Sequence, residues 1–206
     1  MTILELIEIS HILGKDRGFW EKNKDIREEL LYVISDVGDI AKALKKNKRA
    51  DWKIYDQNLF VLEHSNRTEE YIKQSSKLLF DIHIKNTFED EIINTILRIT
   101  DLFGGKNVDI VKANTWLENY IDFDLNYFFH HVKPRHDFDK ESNVSHFLTE
   151  AIALCMTSDN EFDYGLSNIL FYLGAIIEFY EIDAEKHIVK KIEYNRTRPM
   201  KYENNV

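Results

Sequence analysis

The chain has 206 residues, 44% of them hydrophobic and 31% charged, with a formal net charge of −9. That hydrophobic share excludes a disordered chain and is enough for one sizeable core, or for two small lobes sharing one. The acidic balance gives no general electrostatic reason to bind nucleic-acid backbones, which reward a positive face, so no nucleic-acid partner is expected.

Only 7 Gly and 2 Pro interrupt long 3.6-period patterns, which points to an all-α fold, a helical bundle. A first helix is expected over residues 2–13, stopped by Gly14. It carries Glu5 and Glu8 early and so lacks the unbroken apolar stretch of a signal peptide. A second helix, 22–47, ends in the basic run "KKNKR", which suits the negative end of a helix dipole. Its segment "ELLYVISDVGDIAKAL" (29–44) is apolar around most of its circumference, yet holds Asp36 and Asp39 one turn apart. A third helix, 67–83, has Thr68 ahead of Glu69 and Glu70. A fourth, 87–103, has Thr87 as its N-cap and stops at Gly104–Gly105.

Residues 107–130 read as one or two further helices. The stretch "HHVKPRHDFDKES" (130–142) reads as a loop whose His130, His131 and His136 are exposed, since no carboxylate or Cys completes a zinc spacing. Helices follow over 143–157 and 162–180, and a last one runs from Ala184 to Thr197. No run reaches membrane-spanning length, so no membrane partner is expected. The single Cys155 fits a reducing compartment, and the expected location is cytoplasmic.

One domain, 1–206, is expected, with an internal echo inside it. "FEDEIINTILRITDLFGG" (88–105) aligns without a gap on "FDYGLSNILFYLGAIIEF" (162–179), placing Asn94 on Asn168. Either the likeness is that of any two amphipathic helices, or the domain holds a catalytic-type half over 19–111 and a degenerate half over 138–184.

The chemistry-bearing residues fall on two stripes. Glu29, Asp36 and Asp39 share one helix face; Glu91, Asn94, Arg98 and Asp101 share another. If the two helices pack antiparallel, Asp36, Asp39, Glu91 and Asn94 converge on an oxygen-rich pocket. Carboxylates so placed repel, and partial burial sharpens the penalty unless a cation neutralises them. An all-oxygen set suits Mg²⁺, or Mn²⁺, rather than zinc. The competing reading is that both stripes simply face solvent.

The ordered set "GFW…EELLYVISDVGDIAKAL…FEDEIINTILRITDLFGG…KKIEYNRTRP" resembles the MazG-like all-α nucleoside triphosphate pyrophosphohydrolases, a superfamily that includes the dimeric dUTPases. The resemblance implies an E-x-x-E and E-x-x-D pair binding Mg²⁺ and cleaving a (d)NTP to monophosphate and pyrophosphate. Here the pair reads Asp36-x-x-Asp39 and Glu91-x-x-Asn94. It implies metal ligation by Asp36, Asp39, Glu91 and the Asn94 carbonyl, with Glu29 or Asp36 taking the proton of an attacking water. The tail residues Lys191, Tyr194, Asn195 and Arg198 resemble a family element, and Lys191, Asn195 and Arg198 would present two cations and an amide to a phosphate chain. Trp20, with Phe19, stacks on a base in the family's manner or else serves as core. Arg98 and Asp101 are expected to pair with each other and brace the site.

The departures are physical. Asp for Glu at 36 and 39 withdraws each carboxylate by one methylene, and Asn94 removes a charge. The interval from Asp39 to Glu91 is longer than in compact members. The expectation is therefore a Mg²⁺-dependent pyrophosphohydrolase. Its alternatives are a weakened nucleotide-binding sensor or regulator and a helical interaction module without ligand. Family members build sites between subunits, so the chain is expected to be a homodimer, or a monomer if the internal repeat supplies the partner.

Overall fold

The computed structural model describes residues 1–20, 26–106, 120–131, 144, 149, 152, 153 and 162–198. These form eight α-helices with no named strand: α1 (Ile3–Asp16), α2 (Ile26–Lys45), α3 (Trp52–Glu63), α4 (Glu69–His83), α5 (Phe88–Lys106), α6 (Leu125–His131), α7 (Phe162–Phe179) and α8 (Ala184–Arg196). The protein is all-α. Among the described residues no single helix is long and apolar enough to cross a membrane.

The organising element is α5. Thr87 caps it by accepting from the Asp90 N–H at 3.3 Å. Its apolar residues then run nearly all round: Ile92, Ile93, Ile96, Ile99, Leu102 and Phe103 are all buried. A helix apolar on most sides must be largely surrounded. Helices α1, α2, α7 and α8 supply that enclosure, and their apolar faces join α5 in one core with Leu6, Val33, Val37, Ile40, Leu170, Leu173 and Ile188.

The 3.6-period reading placed most of these helices, and the departures have simple causes. Gly14 does not stop α1, which runs on to Asp16, and Gly104–Gly105 lie within α5. Each glycine instead makes room for a neighbour. A Cβ on Gly14 would come within 2.5 Å of the Asp101 carboxylate, one on Gly104 within 2.6 Å of His11, and one on Gly105 within 1.9 Å of the Trp20 ring. A helix interior tolerates glycine at a modest propensity penalty, and here close packing uses it.

Helix α3 was not expected. Its signals were weak: an Asp51 cap accepting from the Ile54 N–H at 3.0 Å, and only Tyr55 and Leu59 fully buried. It pairs with α4 in a hairpin whose small separate cluster of Tyr55, Leu59, Phe80 and Ile84 meets the rest through Tyr194 of α8. Helix α4 begins after Thr68, which accepts from the Tyr71 N–H at 3.3 Å. His130 and His131 do not lie in a loop; they end α6, and the His131 ring stacks on Tyr127 with centroids 3.8 Å apart. The remaining loop, with His136, and most of the helix expected at 143–157 lie outside the described residues, as does Cys155.

Candidate functional site

A cleft of about 350 Å³ opens where α1, α2, α5 and the end of α8 meet. Asp36, Asn94, Arg98, Asp101, Asn195 and Arg198 line it, together with Arg17 and Phe19 from the turn after α1. Three segments far apart in the chain therefore reach one place, because α5 is the common packing partner of α1, α2 and α8.

Arg98 does not pair with Asp101. Its Nε donates to Asp36 Oδ2, and its guanidinium lies 5.5 Å from the Tyr32 ring centre. The helical interval separating residues 98 and 101 directs Arg98 toward α2 and Asp101 toward α1. Asp101 is instead clamped by the Trp20 indole, which donates to Oδ1 at 2.8 Å, and by His11 Nδ1 at 3.1 Å. Both rings meet edge to face at 5.0 Å. Trp20 is thus an anchor with its N–H committed, seated on Gly105. Burial raises the Asp101 carboxyl above its ordinary range, against the hydrogen bonds from Trp20 and His11.

The carboxylate stripes do face each other. Asp36 of α2 meets Arg98 of α5, and the charge of Asp39 acts on Glu91. Numbers rising along α2 thus match numbers falling along α5, which is antiparallel packing. Enclosure raises the Asp36 carboxyl, opposed by Arg98 and reinforced by Asp39. It raises Glu91 too; the Asn94 amide opposes that rise by donating to Oε2 at 3.0 Å, while Asp90 and Asp39 add to it. Asp39 is about half exposed and accepts from Lys42 at 3.4 Å. Asp39 and Glu91 do not line the cleft itself, and Glu29, although buried, faces an adjoining recess of about 40 Å³ with Trp20. Among the described residues no three of His, Cys, Asp and Glu gather closely enough to hold a metal ion.

Two tail residues expected to touch substrate, Lys191 and Tyr194, do not line this cleft. Lys191 is buried, and its Nζ donates to Asp90 Oδ1 at 2.7 Å. Residues 90 and 191 are both enclosed, so the pair locks α8 to the start of α5. The Tyr194 hydroxyl donates to Asp81 Oδ1 at 2.7 Å and its ring stacks on Phe80 at 4.6 Å, joining α8 to the hairpin. Asn195 and Arg198 line the cleft.

Arg17 is the residue that sequence reasoning missed. It follows α1 as its C-cap, beside Gly18 with φ 74°, so it reads as an ordinary turn residue. Its guanidinium lies 4.9 Å from the Phe19 ring centre and has no carboxylate partner among the described residues. Its Nε and the Asn195 Oδ1 are buried without hydrogen-bond partners among the described residues. Burial lowers the Arg17 pKa from its usual value, and the nearby charges of Arg198 and Arg98 lower it further. Three arginines thus crowd one cleft, which favours an anion.

No family model matches the chain, and no curated protein and no solved structure matches it.

Proposed function

We propose that this protein binds a nucleoside triphosphate in the arginine-rich cleft and hydrolyses it to the monophosphate and pyrophosphate, as the pyrophosphohydrolases its motifs resemble do. The supporting observation is convergence: Asp36 from the first motif, Asn94 and Arg98 from the second, and Asn195 and Arg198 from the tail line one cleft. Arg17 and Arg198 grip the phosphate oxygens, for which planar guanidinium groups are suited. The unpartnered Asn195 oxygen accepts from a ligand hydroxyl or N–H.

The donor set is compatible with Mg²⁺. It is all oxygen, and the raised Asp36 and Glu91 carboxyls, both under the field of Asp39, form a crowd that a cation relieves. Mg²⁺ is usually bound by one or two carboxylates plus substrate phosphates, so a preassembled three-carboxylate cage is not required. Asp36 and the Asn94 carbonyl, which line the cleft, would hold it together with the substrate phosphates, the charges of Asp39 and Glu91 acting from beside them, and it would supply positive charge against the departing pyrophosphate. Asp36, half-buried at the cleft wall and raised above its ordinary range, takes the proton of the attacking water. Arg98 fixes its orientation.

A second reading is binding without turnover. It is favoured by the Asn94 amide donating to Glu91, which spends a carboxylate lone pair, and by Arg98 already neutralising Asp36. A panel of NTPs and dNTPs with Mg²⁺ or Mn²⁺, assayed for pyrophosphate and monophosphate, separates the two. Equimolar products, falling about a hundredfold or more in Glu91→Ala, support the enzyme. Binding without products, with activity appearing in Asn94→Asp, supports the sensor or regulator. Neither binding nor products overturns both.

A further inference from the structure

A second concavity lies on the other side of α8, about 310 Å³ in volume, between that helix and the α3–α4 hairpin. Its floor is aromatic: Tyr55, Phe80 and Tyr194, each more than nine-tenths buried, with Tyr55 edge-on to Phe80 and Phe80 stacked on Tyr194. Its rim is cationic, formed by Lys73, Lys77, Lys190 and Arg196, with Glu193 as the one acid among the lining residues. Glu193 is already paired with Lys190 at 2.9 Å. Asp81, bonded to the floor residue Tyr194, accepts from Lys85 at 2.9 Å and from the Tyr194 hydroxyl at 2.7 Å.

Lys73, Lys77 and Arg196 are left without an ion-pair partner among the described residues. Three cations without a direct ion pair around one opening stand out in a chain of net charge −9, although the charge of Lys77 also reaches Asp81 and those of Glu193, Asp56 and Glu63 reach the floor at Tyr55. A solvated basic face would place them anywhere on the surface; here they ring an apolar pocket of small-molecule size. Ser76 and Thr197 also line the pocket, and their hydroxyls donate to the Ile72 and Tyr194 carbonyls at 2.8 and 2.7 Å, leaving oxygen lone pairs to accept from a ligand. Apolar floor, cationic rim and hydroxyl acceptors together suit a flat ring joined to a dianion.

We propose that this pocket is a second ligand site, separate from the arginine-rich cleft, for a phosphate monoester of a ring-bearing molecule, a nucleoside monophosphate being the test case. The ring enters toward the aromatic floor, and the phosphate is held among Lys73, Lys77 and Arg196. The site uses residues of the α3–α4 hairpin, which supplies nothing to the first cleft. It does not depend on the cleft being catalytic.

The test is calorimetric titration of the full chain with AMP, CMP, GMP and UMP, with inorganic phosphate and the free nucleosides as controls. At least one monophosphate is expected to bind at sub-millimolar concentration, and ten times or more tighter than phosphate or nucleoside alone. The double variant Lys73→Glu/Lys77→Glu is expected to weaken it by about tenfold or more, while Arg17→Ala leaves it unchanged. Arg196→Glu, on a different helix, repeats the test if the α4 double variant loses its helical circular dichroism. No monophosphate binding, binding that survives these charge reversals, or binding lost in Arg17→Ala would overturn the assignment. Absence of triphosphate turnover would leave it standing.

Discussion

Asp90 and Glu91 are neighbours on α5, both buried, and their environments drive them in opposite directions. Burial disfavours the charge on each. At Asp90 that effect is outweighed by His187 and Lys191, with further support from the Asn86 N–H donating at 2.9 Å, so its carboxyl lies below the usual range. At Glu91 a single amide from Asn94 is not enough, and the charges of Asp90 and Asp39 add to the burden, so its carboxyl lies above. Burial therefore means two different things at the two neighbours. Asp90 is a satisfied structural lock, whereas Glu91 is left in need of positive charge.

The largest expected effect breaks the lock. Lys191→Met strands the Asp90 charge in the core and should destabilise the protein by about 3–5 kcal/mol in chemical denaturation. The double variant Asp90→Leu/Lys191→Met, which removes both charges, should recover most of that loss. A null effect of Lys191→Met would remove the distinction between the two carboxylates.

Arg98→Met should cost less, about 1–2 kcal/mol, because Asp36 retains partial access to water. It should also weaken triphosphate binding in the cleft, measured by titration.

Glu91→Gln carries the opposite sign. A carboxyl whose native pKa is raised binds its proton more tightly when folded, so its ionised form lowers stability at neutral pH. The amide should therefore raise Tm by a few degrees in metal-free buffer while abolishing turnover. That gain should shrink as pH falls through the raised pKa, since the wild-type carboxyl then holds the proton too. A lower Tm for Glu91→Gln at neutral pH would contradict the comparison.

The smallest effect belongs to Asp39→Asn. Its pair with Lys42 is exposed at 3.4 Å, so stability should change by no more than about 0.5 kcal/mol. Its consequence should appear instead in the Mg²⁺ dependence of turnover.

Much of the architecture was legible from periodicity. The helices around residues 26–45, 88–106, 162–179 and 184–196 follow from apolar spacing and from the Thr87 cap, which accepts from the Asp90 N–H at 3.3 Å. These are local properties: spacing sets which face is apolar, and that face must be buried. The two stripes of Asp36 and Asp39 and of Glu91, Asn94 and Arg98 follow from the same arithmetic.

What spacing could not fix was the partner of each polar group. Lys191 and Arg198 look equivalent on a helical wheel, yet one is sealed against Asp90 and the other lies at the cleft. Arg98 chose Asp36 across the helix interface over Asp101 on its own helix, and three glycines that looked like stops became seats for Asp101, His11 and Trp20. Pairing depends on distances between helices far apart in the chain, and a carboxylate's charge state depends on how many such partners reach it. Helical period carries no information about either.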